Sequence, residues 1–419
     1  MTVPAVTTLE TIAGGVTTPQ GFRAAGVSAG IKATGLDLAL LVSDRPATAA
    51  AVFTTNRAQA APVLVSVEHL SRSGGVARAV VVNSGCANAC TGEAGLAVAH
   101  GMAAETARIV GCPAEQVLVA STGVIGVGLE LAKIERALPR AMSALGADQG
   151  PQAALAIMTT DPFPKEAAVR VKLDGLDGLD GFGGPGGTAA AIVGGMAKGS
   201  GMIEPMMATM LGFVTTDAAV PLPLLQRALG AAVNDTFNAI TVDGECSTND
   251  CVMLLANGAS GVTVDQSSYD AFVEALRAVC LKLALGIVRG GEGATKLITV
   301  TVTGSASALE ARRAAKAIAN SLLVKTAIHG GDPNWGRLIA VAGRAGVAFE
   351  LSRAAVSIGS IALFASGRPH DENTPAAAEY LKGTDIDVSV DLGAGTAAST
   401  VWTCDLSAEY VKINAEYRT

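Results

Sequence analysis

The sequence predicts an α/β fold of layered mixed sheets and helices. Three observations lead there: short Val-rich runs alternate with helical segments along the chain, 49 of the 419 residues are glycine, and aromatics make up only 4%. Glycine at that level is too frequent for a helical bundle and suits strands, tight turns and close backbone approach. Half the residues are hydrophobic and 16% are charged, so a large core is available, built mainly from Ala, Val, Leu and Ile. The positive mean hydropathy fits strands buried on both faces. The length allows two or three domains, or two lobes sharing one site.

In chain order, Leu38–Ser43, Ala79–Val82 and Val117–Ala120 read as strands, being short, Val-rich and bounded by turn residues. Glu93–Val110 carries Ala, Met, Glu and Arg and reads as a helix. Asp174–Gly187, DGLDGLDGFGGPGG, cannot pack a core and reads as an exposed loop. Its acidic spacing lacks the EF-hand pattern, which argues against a calcium site. Tyr269–Val288 is the clearest amphipathic helix: Phe272, Leu276, Val279 and Leu283 follow helical spacing, with Glu274 and Arg277 opposite. Leu309–Ala327 reads as another helix, and Ile298–Val302, Ile386–Val390 and Ser399–Thr403 as further strands.

The net charge is −7 without a basic block, which argues against nucleic acid as a partner. The seven cysteines (Cys86, Cys90, Cys112, Cys246, Cys251, Cys280 and Cys404) are odd in number and scattered. With a start, MTVPAVTTLE, that lacks the features of a signal peptide, they predict reduced thiols in the cytoplasm. No apolar run reaches membrane-spanning length.

Familiar catalytic sets are absent from the sequence. His69, His100, His329 and His370 show no metal-ligand spacing, and no GxSxG elbow accompanies them. Cys246 and Cys251 lack a second pair, so no metal is expected. TGVIGVG (Thr122–Gly128) and GEGATK (Gly291–Lys296) match nucleotide loops only loosely. The unusual stretch is Lys198–Leu211, KGSGMIEPMMATML. One reading is a connector whose Met residues fill gaps in a core. The other is self-cleavage, in which the Thr209 hydroxyl attacks the Ala208 carbonyl and the acyl group shifts from N to O before water opens the ester. The freed α-amine of Thr209, with a reference pKa of roughly 7.7–8.0, then serves as base for its own hydroxyl.

This stretch resembles the cleavage signature of the ornithine acetyltransferase family, the bifunctional glutamate N-acetyltransferases of arginine biosynthesis. Matching segments run over nearly the whole chain: NSGCANACTG (Asn83–Gly92), STGVIG (Ser121–Gly126), IMTTD (Ile157–Asp161), ITVDGECSTND (Ile240–Asp250), GEGATK, DPNWGR (Asp332–Arg337) and INAEYRT (Ile413–Thr419). The resemblance implies that fold, cut after Ala208 into an α chain of residues 1–208 and a β chain of 209–419, joined as an α2β2 heterotetramer. Thr209 becomes the nucleophile, and Thr122 and Gly123 the oxyanion hole. Substrate contacts fall on Thr159 or Thr160, Lys198, Glu292, Asn414 and Thr419. The substrates implied are N-acetylornithine and glutamate, with no metal or organic cofactor and acetyl-CoA as an alternative donor. A self-processing aminopeptidase or amidase is the alternative activity. The chain departs from the family pattern at Cys86, Glu245, Cys246, Gly290 and His329, none of them a mapped catalytic residue.

Overall fold

A computed structural model describes residues 9–173, 190–204 and 210–416. These residues form two mixed sheets with helices packed against them. The first sheet has nine strands: β1 (Leu9–Ile12), β2 (Phe22–Val27), β3 (Leu38–Phe53), β4 (Val76–Cys86), β5 (Val117–Val124), β6 (Lys165–Lys172), β7 (Ala190–Lys198), β8 (Leu211–Thr216) and β9 (Cys251–Ala256). Their order is β1-β6-β7-β8-β9-β3-β4-β5, with β2 paired to the first half of β3.

Strand β3 is longer than the predicted Leu38–Ser43, because the chain continues through exposed Asp44, Arg45 and Pro46 into a second pairing stretch. The register against β4 shifts between Val42 and Ala47, and Thr48–Phe53 then pairs with β9. One strand therefore joins the two halves of the sheet. Period-two alternation sends Leu38, Leu40 and Val42 to one core cluster and Ala39 and Leu41 to another. Both faces are covered, which accounts for the unbroken apolar runs.

Helix Tyr269–Arg289 buries Phe272, Leu276, Val279 and Leu283 in the core that also holds Val169 and Val193, as its spacing predicts. Helices Gly92–Val110 and Leu131–Ser143 cover the β3–β5 region.

The second sheet contains β10 (Leu297–Ser305), β11 (Ala355–Ile358), β12 (Ile361–Ala365), β13 (Arg368–Pro369), β14 (Asp385–Asp391) and β15 (Ala397–Cys404), in the order β13-β12-β11-β14-β10-β15. The helix expected over Leu309–Ala327 is two helices, Ala308–Ala319 and Leu322–His329. Ser321 Oγ accepts from the Val324 amide and starts the second one. The Asn320 side chain is drawn off to Thr241 and Glu204. Summed propensity could not register a cap that tertiary partners support.

Among the described residues no helix is long and apolar enough to cross a membrane. The loop expected at Asp174–Gly187 lies outside the described residues.

Candidate active site

A cavity opens where the ends of β5 and β7 meet the starts of β8 and β9. Its wall includes Thr122, Gly123, Thr159, Thr160, Lys198, Glu292 and Asn414, seven residues singled out in the sequence. Ala208, Thr209 and Thr419 lie outside the described residues. Met210, the residue after Thr209, lines the same cavity.

The Thr122–Gly123 end of β5 is locked from behind. Ser121 Oγ donates to Asn83 Oδ1 at 2.6 Å, and Asn83 Nδ2 donates to the Cys86 carbonyl at 2.9 Å. Asn249 Nδ2 reaches both the Ala87 and Ser121 carbonyls, at 2.6 and 2.9 Å. Gly123 has φ +128° and pairs with Gly85 at a register irregularity, and a Cβ on Gly123 would run into the Gly85–Cys86 peptide. Only glycine fits there. The NSGCANACTG segment supports this turn. Asn88, at φ 48°, donates its side-chain amide to the Gly95 carbonyl, and Thr91 Oγ1 donates to Asn88 Oδ1.

Asp161 ties the cationic side together. Its Oδ1 accepts from Lys165 Nζ at 2.6 Å and from the Gly199 amide at 2.7 Å, and its Oδ2 accepts from the Thr159 amide at 3.1 Å. Burial pushes this carboxyl up, but the ammoniums of Lys198 and Lys165 and the Gly199 amide together hold it below the usual range. Burial likewise lowers Lys165, against the pull of Asp161. Lys198 is only 7% exposed and donates to Thr122 Oγ1 at 3.1 Å. The lysine is therefore not a solvated surface charge. Thr159 and Thr160 both face the cavity, so geometry does not choose between them.

The opposite wall is anionic. Buried Glu292 accepts from Asn414 Nδ2 at 2.8 Å, and Gly201 leaves the room that its carboxylate fills. Asp243 accepts from the Met202 and Ile203 amides at 2.6 and 2.7 Å and from the Tyr410 hydroxyl at 3.2 Å. Burial, then the charges of Asp243, Glu292 and Glu245, push the Tyr410 phenol above its ordinary value. It remains a protonated donor. The C-terminal helix Ala408–Glu416 reaches the cavity through these two side chains.

The chain is held on both sides of the interval that contains Ala208–Thr209. Before it, the Ile203 carbonyl accepts from the Val242 amide at 2.7 Å and from Thr241 Oγ1 at 2.9 Å. Glu204 is bonded by Asn320 Nδ2 at 2.9 Å. After it, the Met210 carbonyl accepts from the Cys251 amide at 3.1 Å. The ITVDGECSTND segment and its continuation thus grip both flanks.

Several residues prominent in the sequence stand elsewhere. His329 Nδ1 lies 2.6 Å from buried Asp405 Oδ2, and the same carboxylate accepts from the Thr295 and Lys296 amides. Lys296 Nζ donates to the Ile328 and Leu381 carbonyls. GEGATK is therefore divided, with Glu292 facing the cavity and Thr295–Lys296 bracing the second sheet, and it forms no phosphate cradle. His69 Nδ1 lies against the Val117 carbonyl, and His370 beside Glu372. Cys86 is buried, with Sγ donating to the Val127 carbonyl. Asp161, Lys165, Asn249 and Asp243 sat inside quoted or neighbouring segments without an assigned role; Tyr410 carried no signal at all.

A model of the ArgJ family matches residues 23–419. An arginine biosynthesis bifunctional protein from Symbiobacterium thermophilum is 47% identical over 417 residues, 98% of this chain and 100% of the relative. Its counterpart from Gloeobacter violaceus is 47% identical over 416 residues, 98% of this chain and 99% of the relative. Among solved structures, an arginine biosynthesis bifunctional protein from Bacillus halodurans is 45% identical with TM-score 0.49, covering 50% of this chain and 100% of that chain. An ornithine acetyltransferase from Mycobacterium tuberculosis, complexed with ornithine, is 42% identical with TM-score 0.40, covering 49% of this chain and 100% of that chain. With a family match reaching from β2 to the last residue and relatives matched end to end, this chain belongs to the ArgJ family.

Proposed function

We propose that this protein is a self-processing acetyltransferase that moves acetyl from N-acetylornithine to glutamate through an ester on Thr209. The observation that carries the reading is the cavity's division of charge. Lys198 and the hydroxyls of Thr159 and Thr160 stand ready for an α-carboxylate, and Glu292 for a side-chain ammonium. N-acetylornithine carries those two charges.

The route follows from one residue acting twice. Cleavage after Ala208 divides the chain into residues 1–208 and 209–419 and frees the Thr209 amine. That amine takes the Thr209 hydroxyl proton as the oxygen attacks the acetyl carbonyl. Thr122 and Gly123 stabilise the oxyanion, and the proton passes to the departing ornithine amine. The glutamate amine then attacks the ester carbonyl, the bond from that carbonyl to the Thr209 oxygen breaks, the amine's proton returns to that oxygen by way of the Thr209 α-amine, and N-acetylglutamate leaves. No metal or organic cofactor takes part, and acetyl-CoA is an alternative donor. The processed enzyme works in the cytoplasm as an α2β2 heterotetramer.

Intact mass and N-terminal sequencing test the first step: a chain beginning at Thr209 is expected, and a single uncut chain in active enzyme would overturn the reading. Incubation with N-acetylornithine alone should add one acetyl group to the Thr209-containing chain. Glutamate should then remove it faster than water does. Loss at the same rate with and without glutamate would make the protein an amidase.

A further inference from the structure

The proposed acceptor carries two carboxylates. The described cavity wall offers one ammonium, Lys198, against the carboxylates of Asp243, Glu245, Asp250 and Glu292. A second carboxylate in that field needs a second cation. The lysines around the site differ in what already holds them. Lys165 is bonded to Asp161 at 2.6 Å. Lys316 pairs with Glu204 at 3.3 Å and donates to the Ile240 carbonyl at 2.9 Å. Lys325 donates to the Val242 and Cys404 carbonyls and to Thr403 Oγ1.

Lys32 is different. Among the described residues it forms no ion pair within 4.0 Å, and its ammonium donates to the Met158 carbonyl at 3.1 Å. An ammonium has three donors, so this bond leaves capacity for a ligand. The loop that carries Lys32 is pinned. Asp37, fully buried, accepts from the amides of Ala29, Ile31 and Lys32. The Lys32 stem crosses Gly85, the residue paired with Gly123, and its ammonium stands beside the residue that leads into Thr159. Burial lowers its pKa, the neighbouring carboxylates of Asp37 and Asp161 raise it, and the Lys198 ammonium lowers it.

We propose that Lys32 is a specificity-determining residue for the acceptor, turning from the Met158 carbonyl to receive the side-chain carboxylate of glutamate while Lys198 holds the α-carboxylate. The proposal rests on the acetyl-transfer reading above. Lys32 stands outside the described cavity wall, and its flexible four-carbon stem is what would carry the ammonium to it. N-acetylornithine has an ammonium in place of that carboxylate and gains nothing from Lys32.

The test uses the full-length, processed enzyme and measures kcat/KM separately for N-acetylornithine, glutamate and glutamine. Glutamine keeps the shape of the acceptor and lacks the charge. Lys32→Met should lower kcat/KM for glutamate roughly tenfold or more, change that for N-acetylornithine by less than about threefold, and erase the preference for glutamate over glutamine. Lys32→Arg should keep most of the preference. If Lys32→Met does not process, Lys32→Gln, which retains a donor for Met158, should show the same loss of preference. An unchanged preference overturns the proposal. Equal losses in both half-reactions overturn it too, reducing Lys32 to a prop for the Thr159 segment. Failure of the wild-type enzyme to acetylate glutamate sinks the underlying reading as well, and is seen without any variant.

Discussion

Lys325 and Lys198 are both buried ammoniums, one beside the six-stranded sheet and one at the cavity of the nine-stranded sheet, and they are satisfied in opposite ways. Lys325, 2% exposed, has three oxygen acceptors for its three donors, at 2.8, 2.9 and 2.6 Å, with the Cys404 sulfur beside them at 3.7 Å. Lys198, 7% exposed, donates to Thr122 Oγ1 and faces the cavity. Burying a charge is costly unless its hydrogen bonds are supplied. Burial alone therefore does not distinguish a structural lysine from a ligand-binding one. What separates these two is remaining donor capacity aimed at open space.

The largest test removes the chemistry to which Lys198 is assigned. Thr209→Ala should run at full length on a denaturing gel and transfer no acetyl group, while the rest of the cavity is unchanged. Half-length chains from that variant would end the self-attack mechanism. Thr122→Ala comes next. It should lower kcat by roughly 10²–10³-fold, the usual cost of one oxyanion donor, with little change in KM. A change confined to KM would recast Thr122 as a substrate contact.

The two lysines themselves provide a double dissociation. Lys198→Met should lower kcat/KM for N-acetylornithine by about ten- to a hundredfold, the value of a charge-assisted hydrogen bond, with a small shift in Tm. Lys325→Met should leave kcat/KM of the folded enzyme intact and cost roughly 2–4 kcal/mol of stability, because it strands buried acceptors. If the two variants lose activity and stability in the same proportion, satisfaction of donors does not separate the sites.

The smallest effect concerns Asp161, whose folded pKa is depressed. Its contribution to stability is present above the unfolded carboxylate value of about 3.9 and is lost as pH falls through the lower folded value. Urea midpoints of wild type and Asp161→Asn should therefore differ at pH 6 and converge below about pH 4. A gap that stays constant with pH would mean that the Asp161 charge contributes nothing.

Much of the scaffold was legible because its signals are local. The spacing of Phe272, Leu276, Val279 and Leu283 marked the buried stripe of its helix, short Val-rich runs marked β4 and β5, and alternating runs marked β10, β14 and β15. Propensity failed where a local preference met a distant partner. Asn320–Ser321 broke a predicted helix, and β3 ran on through three exposed residues to a second pairing stretch against β9.

Residue types and motif order, by themselves, pointed to the α/β class and to the resemblance to the ornithine acetyltransferase family, and that resemblance implied which threonines, lysine and glutamate share a site. Tertiary structure alone decided who holds them. Lys198 meets Thr122 from 76 positions away, Asn414 meets Glu292 from 122, and Tyr410 meets Asp243 from 167. Periodicity records which face of an element is buried, whereas the hydrogen bonds of a buried polar group depend on whatever the fold brings opposite it. That is why Asp161, Asp243, Tyr410 and Lys32 emerged only once the strand ends had converged.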